Sequence, residues 1–191
     1  MSKSLSRFVR VAATAAVLGL GAGTVATFAA GPVTVGGAPM YAEKNIIENA
    51  VNSKDHTTLV AAVKAAGLVE TLSGPGPFTV FAPVNDAFAA LPDGTVDSLL
   101  KPEMKDTLTK VLTYHVVAGN YSAAELMDKA KSMGGALNLT TVEGKTITIQ
   151  MNGDDLWVFD ETGKAAKITI ADVNQSNGVI HVIDKVLMMK M

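Results

Sequence analysis

From Gly135 to the C-terminus the chain alternates apolar and polar residues, and the alternation breaks at Glu143-Gly144, Asn152-Gly153, Thr162-Gly163 and Asn177-Gly178. Successive side chains on a strand point to opposite faces. A period of two punctuated by glycine turns therefore commits this half of the chain to a strand meander. Ile147 and Ile149 alternate with Thr146 and Thr148, Leu156 and Val158 flank the single Trp157, and Ile168 and Ile170 mark the following strand. The run ends in "VIHVIDKVLMMKM", which reads as a long apolar closing strand with a frayed "MMKM" tail.

The preceding half has a different period. Ile46, Ile47, Ala50 and Val51 share one helical face, and Leu59, Val60 and Val63 form another, with Asp55 as the expected N-cap. "GPGP" at 74–77 breaks the pattern, and Phe78, Val80 and Ala82 resume it as a strand. Pro83 ends that strand because it has no N–H to donate. Asn85 or Asp86 is then placed to cap a short helix. Two further short helices follow, the first started by Thr95 or Asp97 and the second carrying Met104, Leu108, Val111 and Leu112. Ser122 and Glu125 stand in capping-box spacing at the start of the next. Helices first and strands afterwards predict an α+β domain whose sheet is wrapped on itself or stacked.

Residues 1–30 stand apart. Lys3, Arg7 and Arg10 precede an uncharged run rich in Ala, Gly, Val and Leu that ends in small residues, the pattern of a secretory signal peptide cleaved near Ala29. The competing reading is a retained membrane anchor, against which the Ala/Gly-heavy composition argues. Residues 31–42 read as a flexible lead-in and 43–191 as one domain, with no stable membrane span once the leader is removed. From Glu43 onward 18 acidic residues face 13 lysines, a balance that gives nucleic acid no electrostatic footprint. There is no cysteine, so stability rests on packing and no lipid-anchored cysteine follows the leader.

Three segments resemble the fasciclin-type (FAS1) domain: "FTVFAPVNDAF" at 78–88, "LTYHVVAG" at 112–119 and "SNGVIHVIDKVLM" at 176–188, in that family's order. The resemblance implies a wedge of two packed β-sheets with several short helices along one edge. It implies an adhesion or interaction module, secreted or in the periplasm and cell envelope, that binds cell-surface or matrix protein or polysaccharide. Some members bind carotenoids, so an alternative is a carrier of an apolar ligand such as a carotenoid or lipid. The resemblance also implies that Asp86 and His115 lie near each other.

Asp86, Tyr114, His115 and His181 form the expected structural polar core, with His115 bonded to Asp86 or to backbone near the Pro83 corner. His56, beside Asp55, reads as solvated. Asn85, Asp86, Asp184 and Lys185 are the candidates for surface contact. Phe88, Leu91, Met104, Leu108, Met127 and Met133 are the candidates for an apolar groove beside the helices. A hydrolase is the second alternative, but the serines sit in caps and turns, Gly-x-Ser-x-Gly is missing, and "SKDH" at 53–56 holds neighbours in sequence that seldom converge as a triad. No catalytic residue, cofactor or metal site is assigned. The acidic turns lack the spacing of a calcium loop, and "MMKM" offers only soft thioethers to Cu(I).

Overall fold

The computed structural model describes residues 32–190, so the leader and its cleavage point lie outside the described residues. Two short strands come first, β1 (Val33–Val35) and β2 (Ala38–Met40), paired antiparallel. The segment expected as a flexible lead-in is thus a hairpin. Val35 and Met40 bury their side chains in the core, a hydrophobic gain that favours the ordered hairpin.

Helices α1 (Ile46–Ala50), α2 (Thr57–Ala66) and α3 (Val69–Ser73) follow. Asn45 and Glu48 close a capping box on α1. Gly67 ends α2 with φ +75°, a conformation that costs a residue without Cβ nothing. The cap at the start of α2 is not Asp55. Thr58 N–H donates to Asn85 Oδ1 at 3.0 Å, so the helix is capped from 27 positions away. Strand β3 (Phe78–Pro83) ends at the proline corner and passes into α4 (Asn85–Ala89), whose start carries no side-chain cap from either Asn85 or Asp86.

After α5 (Thr95–Leu99) and a 3-10 turn at Pro102–Met104 comes α6 (Lys105–Tyr114), then β4 (Val116–Ala118) and α7 (Ala123–Ser132). His115 caps the C-terminal end of α6. The capping box of Ser122 and Glu125 forms as the spacing predicts. The meander is β5 (Ala136–Thr140), β6 (Thr146–Asn152), β7 (Asp155–Phe159) and β8 (Ala165–Gln175), and β9 (Gly178–Ile183) is the last strand among the described residues.

The seven strands from β3 onward make one sheet in the order β4-β3-β9-β8-β7-β6-β5. Its two edges approach each other, since Val117 bridges Thr141 and Val142 N–H donates to Val116 O at 2.8 Å. The α+β fold expected from the sequence is the fold observed, and the two faces of the expected wedge are parts of one sheet wrapped nearly into a barrel. Two register shifts bend β8 where it crosses from one face to the other. β3 and β9 pair in parallel, from Phe78↔Gly178 to Pro83↔Ile183. That pairing requires Gly178, because a Cβ there would sit 2.0 Å from the Phe78 carbonyl oxygen.

Candidate functional site

Parallel pairing makes β3 and β9 leave the sheet at the same end. The residues after Pro83 and those after Ile183 therefore meet, and Val84 N–H donates to the Ile183 carbonyl at 3.3 Å. Two of the four candidate contact residues are used to build this corner. Asn85 accepts from Thr58 N–H and donates through Nδ2 to the Lys54 carbonyl at 2.7 Å, and Asp184 Oδ1 accepts from Lys167 N–H at 2.7 Å. The other two, Asp86 and Lys185, are exposed. The result is a rim of one acidic and one basic side chain on a backbone fixed by polar bonds.

Behind the rim lie the histidines. His115 is buried and does not bond Asp86. Leu187 N–H donates to its Nε2 at 2.9 Å, so Nδ1 carries the proton and donates to the Val111 carbonyl at 2.7 Å. Its own carbonyl accepts from Phe81 N–H at 2.9 Å. One residue thus ties α6, β3 and the C-terminal segment together. The expected strut exists, with main-chain partners in place of the carboxylate. Burial holds the His115 pKa down at about 4, with the Val111 carbonyl and then Asp160 acting in the opposite direction. Tyr114 is also fully buried. Its hydroxyl donates to the Thr146 carbonyl and accepts from Glu161 N–H, both at 3.0 Å, and burial pushes its pKa up to about 12.

His181 is a second strut. Nδ1 accepts from Asp172 N–H at 3.3 Å, Nε2 reaches the Tyr121 carbonyl at 2.8 Å, and the ring stacks on Phe81. Burial lowers its pKa as well. His56 departs from expectation. It is 3% exposed, not solvated, and meets buried Ser53 Oγ through Nδ1 at 2.9 Å. Two members of "SKDH" therefore do converge, while Asp55 stays exposed on the surface. Burial lowers the His56 pKa, and the Ala82 carbonyl acts in the opposite direction.

Of the six candidate groove residues, Phe88 and Leu108 are in the core, while Leu91, Met104 and Met127 pack half-buried against it. Met133 is 64% exposed at the end of α7. The tail is not frayed over the described residues. Asp160 Oδ2 accepts from Met188 N–H at 2.9 Å, and Val186, Leu187 and Met189 are buried.

Several structural residues carried no clear sequence signal. Asn177 accepts from Ile46 N–H and donates to the Leu72 and Gly74 carbonyls, stapling α1 and α3 to the turn before β9. Buried Asn49 and Gln175 bond each other, and Asp160 holds Thr162, Lys164 and Met188. Asn177 stood in an Asn-Gly turn, which accounts for its backbone but not for its side chain. Among the described residues no group of His, Asp and Glu is arranged to hold a metal ion, and no helix is long and apolar enough to cross a membrane.

A family model described as "Fasciclin domain" matches residues 54–189. Protein sll1483 of Synechocystis is 52% identical over 145 residues, covering 75% of this chain and 72% of that protein. Cell surface glycolipoprotein MPB83 of Mycobacterium bovis is 33% identical over 174 residues, covering 88% of this chain and 71% of that one. The solved FAS1 domain pair from the insect cell adhesion molecule Fasciclin I matches with a TM-score of 0.67 at 18% identity, a likeness of fold. The match covers 76% of this chain and 51% of that one, so the chain spans about half its length.

Proposed function

The chain belongs to the fasciclin family, and from that premise we propose that it is an extracellular or cell-envelope interaction module. Its partner is a cell-surface or matrix protein or a polysaccharide, met at the rim where β3 and β9 end. The reading rests on one observation: Asn85 and Asp184 are spent on holding the corner, and the residues that follow them in sequence, Asp86 and Lys185, are left exposed. A rigid scaffold presenting free charges is the arrangement that recognition loops exploit. Related proteins are named for adhesion or for the cell surface, which agrees with this placement. Residues 1–30 are proposed as the export leader, to be checked by N-terminal sequencing of the native protein.

The test is reversal of both rim charges, Asp86→Lys with Lys185→Glu, assayed on fixed cells, matrix proteins and a glycan array. Binding is expected to fall roughly tenfold or more, with the melting temperature unmoved because neither side chain bonds the fold. Undiminished binding by a folded double variant would rule out the rim.

A further inference from the structure

We infer that Asn152 is a site of spontaneous deamidation, a covalent modification that the fold permits at this Asn-Gly pair and blocks at Asn177-Gly178. The reaction is intramolecular. The Gly153 amide nitrogen gives its proton to solvent base and attacks Asn152 Cγ. The new N–Cγ bond closes a five-membered succinimide, the bond from Cγ to the carboxamide nitrogen breaks, and that nitrogen leaves as ammonia. Water then adds to either ring carbonyl and opens the ring to an aspartyl or an isoaspartyl residue. Nothing is oxidised or reduced, and water is the co-reactant. Because nucleophile and carbonyl are neighbours in one chain, the rate depends on whether the fold lets them meet.

At 152 it does. Asn152 is the last residue of β6 and stands directly opposite Asp155 of β7, with Gly153 and Asp154 making the turn between them. Residues 152–155 are all exposed, and Asn152 lines an open depression beside Gln150 and Trp157, so water and base reach its carboxamide. The Gly153 N–H has no main-chain partner among the described residues, whereas the turn glycines Gly144 and Gly163 donate to the Thr141 and Asp160 carbonyls. The space where a Cβ on Gly153 would stand is empty, so nothing crowds the nitrogen.

The same dipeptide at 177–178 is locked. Asn177 Oδ1 accepts from Ile46 N–H, and Nδ2 donates to the Leu72 and Gly74 carbonyls, so Cγ is held from both sides. The Asn177 carbonyl accepts from Phe78 N–H, and Gly178 is paired with both Phe78 and Gln175. Turning Cγ onto the Gly178 nitrogen would require these bonds to open together, and core strands open far less often than turns. At 152 the product acts on the hairpin itself. A carboxylate there faces Asp155 across the ladder, where like charges are destabilising. The isoaspartyl form also adds a methylene to the main chain and disturbs the register of β6 on β7. Trp157, the single tryptophan, lies opposite Gln150 in that pair and reports the change.

The experiment incubates the full chain in mildly alkaline buffer at physiological temperature, folded and in urea. Both Asn-Gly peptides are followed by mass spectrometry, with fragmentation that separates aspartyl from isoaspartyl products. In the folded chain the 152 peptide should deamidate roughly tenfold or more faster than the 177 peptide, and in urea the two rates should converge. Asn152→Gln, an exposed substitution whose longer side chain closes the larger ring slowly, should remove most of the ammonia released by the folded protein. The isoaspartyl chain, separated by ion exchange, should differ from the unreacted one in Trp157 fluorescence. The proposal is overturned if Asn152 stays intact in the folded chain while the urea-unfolded chain reacts, or if both sites react equally when folded. It is overturned as well if the difference persists in urea, which would assign it to local sequence instead of the fold. Identical fluorescence of the two separated chains would overturn the stated effect on the hairpin.

Discussion

In the meander from β5 to β8 each strand pairs antiparallel with the next one along the chain, and local turns set the register. Buried Ile147, Ile149, Val158 and Ala166 alternate with half-exposed neighbours, with few polar side chains beneath the surface. The β3–β9 pair is built differently. It is parallel, joins residues a hundred positions apart, and is flanked by polar staples. His115 reaches Leu187 across 72 positions, Asn177 reaches Leu72 across 105, and Asn177 reaches Ile46 across 131. No tight turn can join parallel strands, so their register has to be specified elsewhere. Here a few buried or half-buried polar side chains aimed at main-chain groups specify it. Each is valuable when satisfied and expensive when stranded.

The hardest blow to that contrast is His115→Ala. It strands Leu187 N–H in the core and leaves a void where the ring stood, so the variant should lose roughly 3–5 kcal/mol in urea unfolding. A loss under about 1 kcal/mol would mean that the polar staples are incidental and that apolar packing alone sets the parallel pair.

Acid should reach the same half of the molecule next. The folded protein holds His115 neutral, with its pKa at about 4, and burial lowers His56 and His181 in the same direction. The unfolded chain binds protons on these rings first, near pH 6.5. Their contribution is complete above that value and is lost as pH falls from 6.5 toward 4. For His115 alone the loss is on the order of 3 kcal/mol. Equilibrium unfolding between pH 7 and 4 measures it. A flat profile down to pH 5 would show the rings to be better solvated than their burial implies.

The same division explains what could be read in advance. Turn glycines and a period of two are local signals, so the meander was legible residue by residue. The three family segments recovered the fold around it. The sequence also marked His115 as a strut, because a polar ring among valines needs a partner. It could not name that partner, since Leu187 contributes only an amide and every residue but proline has one. Asn85 failed for a related reason. An Asn at a helix start suggests a local cap, yet its carboxamide serves α2, a helix folded against it from 27 positions earlier. His56 looked solvated because it stands among Ser, Lys and Asp, and its burial comes from tertiary packing that those neighbours do not signal.

The smallest effect belongs to the meander, and it sharpens the comparison from the other side. Lys167 Nζ meets Asp155 across β7 and β8 at 2.7 Å, the shortest ion pair among the described residues, but the two side chains are 36% and 50% exposed. Water screens such a pair, and ordering two mobile side chains offsets much of the attraction. Lys167→Ala should therefore change stability by under about 0.5 kcal/mol. The backbone N–H of Lys167, which holds Asp184 at the rim, survives the substitution. A double-mutant cycle with Asp155→Ala isolates the pair from any change in the strand itself. If the coupling reached about 2 kcal/mol, the meander too would depend on specific polar contacts, and the difference between the two halves would lie only in whether those contacts are buried.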